Sequence, residues 1–118
     1  SSDILILSSR DRGDQTIQEI MQTMSFHQRE VSLSTKIEES INYKVILIDQ
    51  FLNGISSTSF LAELRTTNKT ASMYLLSSRD FTKKEEETIN TNKVSVMSLP
   101  LIEADLFNRI ISLLFLNG

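Results

Sequence analysis

Short apolar runs alternate with longer amphipathic segments along the chain, and this alternation constrains the fold more than any other feature. Ile4–Leu7 and Val45–Ile48 contain no polar residue, which is typical of strands buried on both faces of a sheet. Met73–Leu76 and Val94–Met97 predict two more strands. Val31 and Leu33 alternate with serines and predict a half-buried or edge strand.

Amphipathic segments separate these strands. Asp14 can cap a helix whose apolar residues recur every three or four positions. The apolar residues of this first helix are Ile17, Ile20, Met21 and Met24, and those of a later helix are Phe60, Leu61 and Leu64. Two more helices are predicted over Phe81–Asn90, which stops at Asn92, and over Leu101–Leu116, whose apolar residues are Leu106, Ile110, Leu113 and Leu114. The segment Ile37–Ile41 has room for little more than one turn, so the second helix is predicted to be shortened.

Strands that alternate with helices predict an α/β fold, in which a doubly wound parallel sheet carries helices on both faces. For about five strands the flavodoxin-like order 2-1-3-4-5 is the commonest choice. We expect the centre of the sheet to bury Ile6, Ile46, Leu47, Leu75 and Val96, and we interpret Gln50–Ser56 as a loop around Asn53–Gly54.

The 118 residues carry a formal net charge of −3 and no cysteine. Interspersed charges do not indicate nucleic-acid binding, and the lack of thiols is consistent with a reducing compartment. No apolar run approaches the roughly 20 residues of a membrane span. We therefore expect residues 1–118 to be one cytoplasmic domain of a longer polypeptide.

Polar residues follow the predicted strands at one edge of the sheet. Ser8 and Ser9 follow the first strand, Asp49 follows the third and Ser77 closes the fourth. Parallel strands of this order place functional groups at their carboxyl ends, so these side chains are the candidate site.

Through these residues, and through Asn53–Gly54 and Leu99–Pro100, the chain resembles the response-regulator receiver family over nearly its whole length. The resemblance places Asp49 at the phospho-acceptor and Ser77 at the switch Ser or Thr. It places Ser8 and Ser9 where the family has an acidic pair, and Leu99 where it has a lysine. The implied fold is receiver-like.

The departures from the family imply that the chemistry is lost. Mg²⁺ prefers anionic oxygen ligands, and two serines do not replace two carboxylates. Leu99 carries no charge toward a phosphoryl group, and phosphoryl transfer depends mainly on positioning and charge neutralisation. The chain resembles the pseudo-receivers of hybrid sensor histidine kinases, with no catalytic residue, cofactor or metal expected.

The sequence leaves two alternatives open. Asp49 could be a genuine phospho-acceptor that uses Mg²⁺, or the domain could be a flavodoxin-like binder of a small ligand. The second lacks a glycine-rich phosphate loop, although Arg10 and Arg12 could attract an anion. His27, the one histidine, is predicted to lie far from the strand ends, which argues against a Ser–His catalytic pair.

A domain without chemistry must act by contact. We expect an interaction face formed by Phe81, Lys83, Lys84, Glu85, Phe107 and Phe115. Its partners would be other domains of the same polypeptide, a histidine kinase or a response regulator, with a homodimer as a further possibility. Neither nucleic acid nor membrane insertion is expected.

Overall fold

The computed structural model of the chain describes residues 3–111 and residue 114. Seven strands are present in this part of the chain: β1 (Ile4–Leu7), β2 (Val31–Ser34), β3 (Val45–Ile48), β4 (Phe51–Leu52), β5 (Ile55–Ser56), β6 (Ser72–Ser77) and β7 (Val94–Ser98). The α-helices are α1 (Gln15–Phe26), α2 (Leu61–Thr67), α3 (Lys83–Thr91) and α4 (Glu103–Leu106). Two 3₁₀ helices, Ile37–Asn42 and Ser57–Phe60, and a π-helix, Phe107–Ile111, complete the elements.

Five strands form one parallel sheet in the order β2-β1-β3-β6-β7. If only the five strands of this sheet are numbered, in chain order, the arrangement is the flavodoxin-like order 2-1-3-4-5. The predicted fold class is therefore confirmed. The register pairs Ile6 with Leu47 and Ile46 with Met73. As a result the carboxyl ends of β1, β3 and β6 meet at one edge of the sheet.

Each face of the sheet is covered by its own apolar cluster. On one face, α1 and the last helical segment contribute Ile17, Ile20, Met24, Leu106 and Ile110, all buried. On the other face, α2 and α3 contribute Leu61, Leu64 and Ile89. Burying each such side chain stabilises the fold by about 1.5–3 kcal/mol. The fully buried β1 and β3 lie between the clusters, which explains why their sequences contain no polar residue.

Helix α1 begins where the sequence predicts. The Asp14 carboxylate accepts hydrogen bonds from the backbone N–H groups of Thr16 and Ile17, as an N-cap does. The crossover between β2 and β3, residues 35–44, contains only the 3₁₀ helix Ile37–Asn42, so the shortened second helix is also confirmed.

Two local predictions are wrong. Gln50–Ser56 is not an open loop, because β4 and β5 pair as an antiparallel hairpin whose turn residues Asn53 and Gly54 have φ of 52° and 78°. The left-handed residue after α3 is Lys93, with φ of 56°, whereas Asn92 has φ of −91°. The side-chain amide of Asn92 instead donates a hydrogen bond to the Thr88 carbonyl oxygen, at 2.8 Å.

The expectation of a buried Val96 is also wrong. Val96 is 37% exposed because it lies on the edge strand β7 and belongs to neither apolar cluster. Ile6, Ile46, Leu47 and Leu75 are buried as predicted. The last helix begins at Glu103 and changes to π geometry at Phe107. Leu113 and Phe115 of that predicted helix lie outside the described residues.

Candidate functional site

The carboxyl edge of the sheet brings together three of the predicted polar residues. Ser8, Asp49 and Ser77 follow or end β1, β3 and β6, and they are 1%, 6% and 3% exposed. Buried polar groups are costly unless they are hydrogen-bonded, so the partners of these side chains define what the edge can do.

The carboxylate of Asp49 uses both of its oxygens within the protein. Its Oδ2 atom accepts hydrogen bonds from the Ser8 hydroxyl at 2.7 Å and from the Nε atom of Arg10 at 2.9 Å. Its Oδ1 atom accepts from the backbone N–H of Gln50 at 2.8 Å. The buried charge of Asp49 is therefore paired with a guanidinium and surrounded by donors.

Arg10 continues the network to the start of α1. Its NH1 atom lies 3.2 Å from Oδ2 of Asp14, the helix cap. Burial acts to lower the pKa of Arg10, but the charge and hydrogen bond of Asp49 outweigh that effect and raise it. Burial likewise acts to raise the pKa of Asp14, yet the hydrogen bonds from Ile17 N–H and Arg10 lower it.

Ser9 faces away from this network. Its exposed hydroxyl accepts a hydrogen bond from the backbone N–H of Asn53 at 2.7 Å and donates to the Asn53 side-chain oxygen at 3.3 Å. This contact fastens the loop after β1 to the turn of the β4–β5 hairpin. The structure thus separates the two serines that the sequence placed at one site: Ser8 binds Asp49, and Ser9 binds the hairpin.

Ser77 bonds locally, not to Asp49. Its hydroxyl donates to the Arg79 carbonyl oxygen at 3.1 Å and accepts from the Arg79 N–H at 3.2 Å, which closes a turn. Leu99 reaches the same edge, where its N–H donates to the Ser77 carbonyl oxygen at 2.9 Å. The Leu99 side chain is half-buried against the apolar cluster beneath α1 and brings no charge to the edge.

The residues at this edge do not fit a magnesium ion. Asp49 is the one buried carboxylate in the described part of the chain, and both of its oxygens already accept hydrogen bonds. The guanidinium beside it repels a divalent cation. Across residues 3–111 and 114, no group of three or more His, Cys, Asp or Glu side chains could hold a metal ion.

Arg10 is the site residue that sequence reasoning missed. The sequence indicates only that Arg10 could attract an anion, in a loop that lacks the glycines of a phosphate-binding loop. Its guanidinium is instead taken up by Asp49 and Asp14. The available signal was its position, two residues after the buried Ser8 at the same sheet edge as Asp49.

The predicted contact residues of α3 have different surroundings. Lys83 and Lys84 are exposed in the first turn of the helix. Glu85 is half-buried and paired within the chain. Its Oε2 atom lies 2.7 Å from NH2 of Arg79 and accepts from the Thr58 hydroxyl at 3.0 Å, and its side chain completes a capping box with Thr82.

The two predicted aromatic contacts among the described residues lie apart. Phe81 is half-buried against the cluster beneath α2 and α3. Phe107 is at the opposite face of the sheet, with its ring centroid 4.9 Å from that of His27 just after α1. His27 also meets Phe26, which is 80% exposed. Phe115 lies outside the described residues.

Comparisons with known proteins identify the fold. No family model and no curated protein matches the chain. A two-component response regulator from Clostridium difficile superposes with a TM-score of 0.78 at 14% identity, over 100% of both chains. The receiver domain of the Francisella response regulator 1452 gives 0.73 at 21% identity, also over 100% of both chains.

A third solved structure is described as a novel family of redox sensors in the streptococci that evolved from two-component response regulators. It gives a TM-score of 0.71 at 19% identity and covers 98% of this chain but 52% of its own. At these identities the likeness establishes the fold alone, which is that of response-regulator receiver domains. No helix in the described part of the chain has the length and apolar character to cross a membrane.

Proposed function

We propose that the chain is a pseudo-receiver, a non-catalytic receiver-like domain of two-component signal transduction that acts through protein–protein or interdomain contacts. The observation that carries the proposal is the pairing of Arg10 with Asp49, at 2.9 Å between Nε and Oδ2. The chain itself places a cation on the carboxylate at which a receiver would accept a phosphoryl group.

This pairing opposes phosphoryl transfer in two ways. Hydrogen bonds from Ser8, Arg10 and Gln50 draw electron density from the Asp49 oxygens, which makes the carboxylate a weaker nucleophile toward phosphorus. The reaction also relies on cations placed around the transferred group. The residues around Asp49 do not fit a magnesium ion, and Leu99 carries no ammonium group at the position where receivers have a lysine.

The proposed setting is a larger signalling protein on the cytoplasmic side of the membrane, such as a hybrid histidine kinase. Its partners would be other domains of the same polypeptide, a histidine kinase or a response regulator. The streptococcal redox sensors, described as having evolved from response regulators, support the idea that this fold serves signalling in other ways. Among the proposed contact residues, Lys83, Lys84 and Phe107 are exposed. Phe81 and Glu85 are half-buried, Phe81 against the apolar cluster and Glu85 in its pair with Arg79.

The test is a search for any response to a phosphoryl donor. The ¹⁵N-labelled domain is mixed with acetyl phosphate, or with beryllofluoride as a stable phosphoryl mimic, in the presence of Mg²⁺. The amide spectrum and the intact mass are then recorded. We expect both to remain unchanged, because Asp49 is paired with Arg10 and the residues around it do not fit Mg²⁺.

Asp49→Asn provides the matched control. Stoichiometric phosphorylation of the wild type that disappears in Asp49→Asn would overturn the proposal and establish a genuine phospho-acceptor. A bound chromophore or small ligand in the purified protein would instead favour a ligand-binding domain of the same fold.

A further inference from the structure

The shortened crossover leaves a groove at the edge of the helical layer. A connection between parallel strands usually contains a full α-helix, and here residues 35–44 form only a 3₁₀ helix. The groove lies between that 3₁₀ helix on one side and the β4–β5 hairpin with α2 on the other, and its volume is about 400 Å³.

The floor of the groove is apolar. Leu52 is buried at its base, and Ile37 and Phe60 are half-buried beside it, all in the cluster beneath α2 and α3. Ile55, on the hairpin, forms the rim and is 56% exposed. An apolar strip that is continuous with the core favours a partner that brings apolar side chains of its own.

The walls of the groove are acidic. Glu38 projects from the 3₁₀ helix and Glu63 from α2, on opposite sides of the apolar floor. Neither carboxylate has a hydrogen bond or ion pair within the part of the chain that the structure describes. Lys36 is the one cation in the lining, so carboxylates outnumber ammonium groups by two to one.

We infer that this groove binds an amphipathic α-helix of a partner protein, with apolar side chains at helical spacing and basic side chains along the flanks. The helix would occupy the place that a full second helix covers in a complete layer. Its apolar side chains would pack on Phe60 and Ile55, and its basic side chains would pair with Glu38 and Glu63. This inference rests on the proposed contact function and names the kind of partner it uses.

The test uses two synthetic peptides as probes. Both have leucines at helical spacing, and the remaining positions are lysine in one and glutamate in the other. Each is titrated into the ¹⁵N-labelled domain. We expect the leucine–lysine peptide to shift the amide signals of residues 36–38, 52–55 and 60–63 in a saturable manner, and the leucine–glutamate peptide to leave them unchanged.

Three variants locate the binding. Ile55→Ser removes the apolar rim and should weaken binding about tenfold. The double change Glu38→Lys and Glu63→Lys should reverse the preference toward the leucine–glutamate peptide. Glu87→Lys makes the same kind of charge change on the exposed face of α3, outside the groove, and should retain wild-type binding. The dispersion of each amide spectrum verifies that the variant is folded.

Several results would overturn the inference. These are the absence of a saturable shift, shifts that map to α3 or another surface, or an Ile55→Ser variant that binds as tightly as the wild type. A homodimer in sedimentation equilibrium that Ile55→Ser abolishes would assign the groove to a second copy of the chain. None of these results bears on the phosphoryl-donor test, so the groove and the pseudo-receiver proposal can fail separately.

Discussion

The Nε atom of Arg10 lies 2.9 Å from Oδ2 of Asp49, and the same guanidinium reaches Asp14, which caps α1. One side chain therefore connects the ends of β1 and β3 to the start of the first helix. The cation at this edge of the sheet is a covalent part of the chain, and it cannot be supplied or withdrawn as a dissolved ion could.

Replacing Arg10 should destabilise the fold. Arg10→Met leaves the buried Asp49 carboxylate with only the Ser8 and Gln50 donors, and a buried group that loses a charged partner costs about 1–3 kcal/mol. The Arg10 side chain is 33% exposed, so solvent screening places the expected loss near 1–2 kcal/mol.

Urea unfolding measures the loss, and Arg12→Met is the matched control. Arg12 is exposed, with a hydrogen bond to the Met21 sulfur at 3.6 Å, and its loss should change the free energy of unfolding by less than about 0.5 kcal/mol. Equal midpoints for the two variants would contradict the stabilising role of the Arg10–Asp49 pair.

A magnesium site should be recoverable by design. The double variant Ser8→Asp and Arg10→Ala supplies a second carboxylate beside Asp49 and removes the internal cation. Without metal, repulsion among the carboxylates should lower its melting temperature below that of the wild type. Mg²⁺ should raise it again, because binding to the native state alone stabilises that state.

The control for this design carries Ser8→Asn together with Arg10→Ala, so that the shape of the introduced aspartate is retained without its charge. Its melting temperature should not respond to Mg²⁺. The wild type should not respond either, and a clear rise in its melting temperature with Mg²⁺ would contradict the conclusion that its residues do not fit the ion.

Much of the fold could be predicted because its signals are local. The fully apolar β1 and β3 and the capped, periodic α1 each carry their pattern within a few consecutive residues. The strand order then followed from the connection rules of parallel sheets. Asp49 could be placed at the edge of the sheet for the same reason.

The remainder depends on contacts that no local pattern encodes. The hydrogen bond between Arg10 and Asp49 joins residues that are 39 positions apart in the sequence. The sequence therefore places an arginine in a loop but does not indicate that Asp49 is its partner. The two-residue strands of the hairpin are too short to display alternation. Val96 is apolar and therefore resembles a core residue in the sequence, but it is exposed because it lies on the edge strand β7.

A second structural arginine, Arg65, offers an independent prediction. Its guanidinium donates to four backbone carbonyl oxygens, those of Asn68, Ala71, Asn92 and Lys93, at 2.8–3.3 Å. It thereby fastens the end of α2 to the start of β6 and to the turn between α3 and β7. Arg65→Met should lower the free energy of unfolding by roughly 2–4 kcal/mol.

Arg65→Lys should restore less than half of that loss, because a single ammonium group cannot reproduce the planar fork of donors. Urea unfolding of both variants, with Arg12→Met again as control, measures the effect. A lysine variant as stable as the wild type would show that charge alone matters at this position.

The Arg79–Glu85 pair predicts a dependence of stability on pH. Hydrogen bonds from Arg79, and next from the Thr82 N–H, hold the pKa of the Glu85 carboxyl well below its usual value of 4.5. A carboxyl group whose pKa is lower in the folded state stabilises that state above 4.5, and the contribution is lost as the pH falls below that value.

The urea midpoints of the wild type and Glu85→Gln should therefore differ most at neutral pH and converge in acid. Glu87→Gln is the control, since Glu87 makes no ion pair among residues 3–111 and 114. A difference between wild type and Glu85→Gln that stays constant from neutral to acidic pH would contradict the role of the ion pair.

The final prediction concerns Phe107 in the full-length protein. Its ring is 38% exposed and lies against His27, beside the more exposed Phe26, so an aromatic surface is available at the end of α1. Aromatic side chains often dominate the energy of an interface, and Phe107→Ser should weaken a contact made there by roughly 1–2 kcal/mol. Signalling output, measured at equal protein level, should fall accordingly.

Ile41→Ser, a comparable change at an exposed apolar residue of the 3₁₀ helix, should leave output intact. If Phe107→Ser has no effect while Asp49→Asn abolishes output, then the carboxyl edge of the sheet is the working surface and the contact proposal for Phe107 is wrong.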